Sequence, residues 1–202
     1  MQTMDMLLTR EVTRLKLPDR VRDMTDEEFF YYCQDNPDYR FERDAKGTII
    51  VMGQTGGETG KRNSELIIDL GIWNRSTKLG FVFDSSTGFV LPNGAVRSPD
   101  AAWVHADRWN ALSPDQRRRF PPLCPDFIVE LMSESDSLRE AEIKLREYMD
   151  NGCQLAWLIE PRTETTRIFR PDGSVQVVKG FDNSLSGEDV LPGFAFALGV
   201  LR

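Results

Sequence analysis

The sequence predicts an α/β (α+β) fold built on a central mixed β-sheet flanked by helices, and three observations carry that prediction. Apolar runs of strand length lie at residues 101–104, 126–132 and 154–159. Helix-spaced patterns over 58–79 and from Ser135 or Asp136 to about Asp150 separate them. Turn signals such as Asn36-Pro37, Asn93-Gly94 and Pro171-Asp-Gly173 bound the elements.

The chain has 202 residues, which favours a single domain over 1–202: an N-terminal helical extension to residue 36 and a core from 37 onward. Residues 1–18 carry Leu7, Leu8 and Val12 at helical spacing, closed by Pro18. Thr25 and Glu28 form a capping-box pattern ahead of a helix over about 26–34, whose aromatics Phe29 to Tyr32 read as packing. Residues 39–52 alternate apolar and polar around Asp44-Ala-Lys-Gly47, a β-hairpin pattern.

Residues 54–60, QTGGETG, read as a flexible joint; they lack the G-K-[ST] ending of a phosphate loop. Leu66, Ile67, Leu70 and Trp73 then define a long amphipathic helix, slightly weakened by Gly71. Residues 81–83 and 88–91 read as a hairpin around Asp84. Ser113-Pro-Asp-Gln116 is a helix start leading to Arg117, Arg118 and Arg119. A solvated helix end explains those arginines, with a phosphate-contacting patch as the functional alternative. Residues 126–132 read as a central strand, and 165–169 with 175–178 as a further hairpin.

Composition narrows the function. Hydrophobic residues make up 40% and charged residues 28%, which excludes a disordered or fibrous chain. No apolar run approaches the roughly 20 residues of a membrane span. The N-terminus lacks the pattern of a secretory leader, so a cytoplasmic location and no membrane partner are expected. Three scattered cysteines without a companion histidine cluster argue against zinc and a disulfide framework, and any histidine-based triad would depend entirely on His105. A net charge of −7 opposes nonspecific polyanion binding, although a local patch can outweigh it.

The chemistry concentrates between Ser98 and Tyr148. Asp100 opens one apolar run and Glu130 interrupts another, on the side shared by Ile128 and Met132. A carboxylate there is costly unless paired or bound to metal. Two such groups suit Mg²⁺ or Mn²⁺, which favour oxygen ligands and assist phosphodiester hydrolysis. Lys144 is the candidate cation on the following helix, although spacing alone favours a plain surface ion pair with Glu140.

The order SPD, PDFIVELMS, K-x-x-x-Y-x-x-x-G and then a strand with an Ala-Trp-Leu-Ile core resembles the Uma-two family of endonucleases. That family is similar to the PD-(D/E)XK restriction-endonuclease-like superfamily, and the likeness covers roughly residues 25–200. It implies a restriction-endonuclease-like core, with Asp100 and Glu130 as metal ligands. Lys144 takes the place of a strand lysine, because Met132 occupies the usual position. Thr59 stands where the family often has a histidine. An acidic residue of the first core helix joins the site in many superfamily relatives, and Glu58 and Glu65 both compete for that part.

The leading expectation is thus a Mg²⁺-dependent endonuclease acting on DNA, with two copies cooperating if both strands are cut. Two alternatives stand beside it: an inactive nuclease-fold protein serving binding or self-association, and a hydrolase of small phosphoesters.

Overall fold

A four-stranded sheet, a six-stranded sheet and two long helices make up most of the described residues. A computed structural model describes residues 24–202. The helix expected within residues 1–18 lies outside them. Helix α1, Asp26–Asp35, carries the expected reciprocal cap between Thr25 and Glu28. Strands β1, Arg40–Arg43, and β2, Ile49–Met52, form the expected hairpin. Helix α2 spans Gly57–Thr77, and β3 spans Gly80–Asp84.

Here one expectation fails. Strand β3 does not pair with β4, Phe89–Val90; β3 pairs with β6, Ala101–His105, whereas β4 pairs with β5, Val96–Arg97. The turn at Asp84 thus carries the chain between sheets. Its local chemistry is that of a hairpin turn, but pairing follows burial: Phe89, Val90 and Val96 are buried, two of them in a cluster with Phe29. The small sheet has the order β2-β1-β5-β4.

Short helices α3, Ala106–Asn110, and α4, Pro114–Arg118, follow β6. The latter starts in a capping box between Ser113 and Gln116. Strand β7, Phe127–Leu131, helix α5, Leu138–Asp150, and strand β8, Leu155–Glu160, make a crossover unit with β7 and β8 parallel. The cap of α5 is Ser137, one residue beyond the expected choices; the Asp136 carboxylate accepts the Ser133 N–H instead. Strands β9, Thr165–Phe169, and β10, Val175–Lys179, form the expected hairpin. The large sheet runs β10-β9-β8-β7-β6-β3, so β7 is indeed central. A final pair, β11 at Ser184–Ser186 and β12 at Ala195–Ala197, closes the chain.

The large sheet is buried on both faces. On one face Phe127, Val129 and Leu131 join Leu66, Leu70 and Trp73 of α2. On the other, Ile128 and Met132 join Leu145 and Tyr148 of α5. Fully burying each such side chain is worth about 1.5–3 kcal/mol, which anchors α5 firmly over the sheet. Ile143 is exposed despite being apolar, because Ala141, Leu145 and Tyr148 define the packed stripe at spacings of four and three. Lys144 lies on that stripe, three residues after Ala141 and four before Tyr148.

Candidate active site

Asp100, Glu130 and Lys144 converge because of strand register. In the antiparallel β6–β7 pair, Ala101 stands opposite Val129 and Ala102 opposite Ile128. One further step brings Asp100, just before β6, level with Glu130; Glu130 lies on the face that α5 covers, and the Asp100 carboxylate reaches Asn63 of α2. From that helix Lys144 Nζ reaches 2.8 Å from Glu130 Oε1. The lysine is no surface cation: its side chain is 18% exposed.

Asp100 is held at both oxygens. Its Oδ2 accepts the Leu131 N–H at 2.8 Å, and its Oδ1 accepts from Asn63 Nδ2 at 3.0 Å. Asn63 lies one turn before Leu66 on the packed stripe of α2, and its own carbonyl oxygen is enclosed without a partner. The helix thus contributes an amide rather than an acid to Asp100. Glu58 is 76% exposed beside Arg62, and Glu65 is partly buried; neither is among the hydrogen-bond partners of Asp100.

A further carboxylate enters from the small sheet. Glu42 of β1 is buried and lies 2.9 Å from Lys144 Nζ and 3.0 Å from Arg97 Nη1. Its Oε1 also accepts the Ser98 N–H. Arg97 in turn meets Glu147 of α5 at 2.6 Å. Simple alternation in β1 predicts Glu42 facing solvent opposite Phe41, yet Phe41, Glu42 and Arg43 are all buried. Sequence carries no signal for this, since the partners of Glu42 lie 55 or more residues away. Asn63 did leave one: a polar residue on an apolar helical stripe.

Electrostatics follow from this crowding. Burial pushes the Glu130 carboxyl up to about 7; Lys144 opposes that rise, while Asp100 and Glu42 reinforce it. Burial likewise raises Asp100 above the usual carboxylate range, against the Leu131 N–H and Lys144. Burial works against the Lys144 ammonium, but Glu130 and Glu42 outweigh it and hold it protonated beyond the ordinary lysine range. Burial also raises the Tyr148 phenol, helped by the Glu130 and Glu42 charges, and its hydroxyl is enclosed without a partner.

In this network four carboxylates, Glu42, Asp100, Glu130 and Glu147, stand with Arg97 and Lys144, and Arg40 also acts on Asp100; the crowding of acids shows in the raised Glu130 and Asp100 carboxyls. Glu130 Oε1 is enclosed and, despite its closeness to the ammonium, has no well-directed hydrogen bond. Among the described residues no group of three or more His, Cys, Asp or Glu is placed to hold a metal. The donors that remain, Asp100 and Glu130, fit a cation that takes few protein oxygens and keeps several waters, as Mg²⁺ does.

The arginine run lies elsewhere. Arg117 donates to the Asn110 carbonyl and stacks near Trp109, Arg118 pairs with Asp115, and Arg119 pairs with Glu27 at 2.6 Å. His105 caps α3, its Nδ1 accepting the Asp107 N–H, and Cys33, Cys124 and Cys153 are free thiols.

Comparison with known proteins agrees with the fold. Residues 26–199 match the Uma2 family, described as "Putative restriction endonuclease". A solved structure from Anabaena variabilis, described as "a putative nuclease belonging to DUF820", superposes with a TM-score of 0.73 at 18% identity, covering 88% of this chain and 97% of that one. No curated protein matches the chain.

Proposed function

The chain belongs to the Uma2 family, and from that premise we propose that it is a metal-dependent endonuclease hydrolysing phosphodiester bonds, with DNA as its substrate. The observation that carries the reading is the meeting of Asp100 at the entrance of β6, Glu130 of β7 and Lys144 of α5 in one buried cluster. Family membership and the nuclease-like neighbour support the reaction class.

Asp100 and Glu130 are the metal ligands in this reading. A bound Mg²⁺ or Mn²⁺ would polarise the phosphodiester and acidify an attacking water. Asp100 is preset for ligation, because the Leu131 amide and Asn63 fix its carboxylate before any ligand arrives. Lys144 remains charged, so its part is to orient water or a phosphoryl oxygen and offset developing negative charge, not to remove a proton. Arg117, Arg118 and Arg119 remain the candidate phosphate-contacting patch in this reading; their surface ion pairs with Asp115 and Glu27 are weak enough to be exchanged for a phosphate. Among the described residues no helix is long and apolar enough to cross a membrane.

The test is cleavage of supercoiled and linear DNA with Mg²⁺, Mn²⁺ or EDTA, run beside Asp100→Ala. Metal-dependent cutting that disappears in the variant is the expected result. Undiminished cutting by Asp100→Ala would remove the site. Absence of both cutting and calorimetric metal binding in the wild type would favour the inactive binding module instead, a reading that the net charge of −7 makes the natural second choice.

A further inference from the structure

Resting on the nuclease reading above, we propose that Glu42 is a positioning residue of the reaction: its buried carboxylate, delivered from the small sheet, holds the Lys144 ammonium at the Glu130 side of the site.

Lysine is a compact charge on a flexible four-carbon stem, and one ion pair leaves that stem free to pivot. Here two carboxylates flank the ammonium, Glu130 at 2.8 Å and Glu42 at 2.9 Å. Two flanking acids fix the ammonium by charge from two sides, and its three N–H donors can still turn toward a water or phosphoryl oxygen. Glu42 itself cannot drift. Its Oε2 meets Arg97 at 3.0 Å, and its Oε1 accepts the Ser98 N–H at 3.0 Å.

The two contacts reach both segments that carry the site. Ser98 lies two residues before Asp100, at the entrance of β6. Arg97 grips Glu147, three residues beyond Lys144 on α5, through Nε at 2.6 Å. The small sheet is therefore latched to α5 at Lys144 and Glu147, with Glu42 present at one latch and paired to the arginine of the other. A purely structural Glu42–Arg97 pair would not require the second cation.

The experiment compares wild type with Glu42→Gln in nitrogen-15-labelled protein, with the Lys144 ammonium signal assigned by its absence in Lys144→Arg. The wild type should show a resolved, slowly exchanging ammonium signal that is lost in Glu42→Gln. DNA cleavage by the variant should fall about tenfold to a hundredfold in kcat with KM little changed, as expected when a reacting group is misplaced by an ångström or so. Glu42→Asp keeps the charge on Arg97 and stays testable if the glutamine variant does not fold. It should retain folding yet shift the signal and lower kcat. An unchanged ammonium signal overturns the proposal whatever the activity, and a lost signal with undiminished kcat overturns it equally. Wild-type protein that cuts nothing refutes the nuclease reading instead, and the ammonium signal still decides whether Glu42 holds the lysine.

Discussion

Asp100 stands opposite Glu130 across the β6–β7 ladder, one residue beyond the Ala101–Val129 pair, and its Oδ2 accepts the N–H of Leu131, the residue after Glu130. The two acids are therefore placed by backbone register, and neither depends on a mobile loop for its position. The cost of that placement is mutual repulsion in a buried setting, and several consequences can be measured.

Divalent metal should stabilise the wild type through these two acids. Addition of Mg²⁺ or Mn²⁺ is expected to raise Tm, with EDTA reversing the rise, as for any ligand that binds only the native state. Asp100→Ala and Glu130→Ala should abolish the rise and lower cleavage by a hundredfold or more, the scale of losing one group that stabilises transition-state charge. Differential scanning calorimetry with and without metal checks this; an undiminished metal response in both variants would place the ligands elsewhere.

The pH dependence of the metal-free protein follows from Glu130, whose carboxyl sits at about 7 in the folded chain against an ordinary 4.5. Between those values the native state binds more protons than the unfolded state, so this group makes stability fall as pH rises through that window. The slope is at most about 1.4 kcal/mol per pH unit for one group. Glu130→Gln imitates the protonated acid and removes the slope. Urea unfolding in EDTA should find the variant more stable than wild type at pH 8 and no more stable at pH 4.5. A variant weaker than wild type at pH 8 contradicts the raised value.

Lys144→Ala should behave differently from both acid variants. It strips the shared cation from Glu42 and Glu130, whose side chains are 3% and 14% exposed. Leaving buried charge without its partner costs about 3–5 kcal/mol. Equilibrium unfolding at pH 7 measures this. A loss below about 1 kcal/mol would mean that the lysine is a surface cation after all.

Two glycines predict opposite signs. Gly71 lies inside α2 with open space where a Cβ would project, so Gly71→Ala should stabilise by about 0.5–1 kcal/mol. Gly80 begins β3 where an added Cβ would meet the Val104 carbonyl oxygen at 2.3 Å and the Trp103 ring at 2.5 Å. Gly80→Ala should destabilise by about 1–3 kcal/mol, the scale of overpacking, since Val104 is backbone in the sheet core. Thermal unfolding of the two variants checks the contrast.

What the sequence determined by itself was everything governed by local periodicity and order. Capping boxes at Thr25 and Ser113, the central apolar strand carrying Glu130 and the hairpins at 39–52 and 165–179 all rest on contacts within a few residues. The side of β7 that Glu130 takes was legible from strand alternation, whereas the set of Asp100, Glu130 and Lys144 was legible through the resemblance of the ordered motifs, spacing alone leaving Lys144 as a partner of Glu140. Tertiary structure alone decided which strand β4 joins, because Phe89 and Val96 are buried by packing that no local pattern encodes. It also decided that α2 offers Asn63 rather than an acid to Asp100, and that Glu42 crosses from another sheet to Lys144. Those contacts join residues 37 and 102 positions apart in the chain. Only the folded sheet brings these groups together, and burial strengthens the Asn63 hydrogen bond and the Glu42–Lys144 ion pair alike.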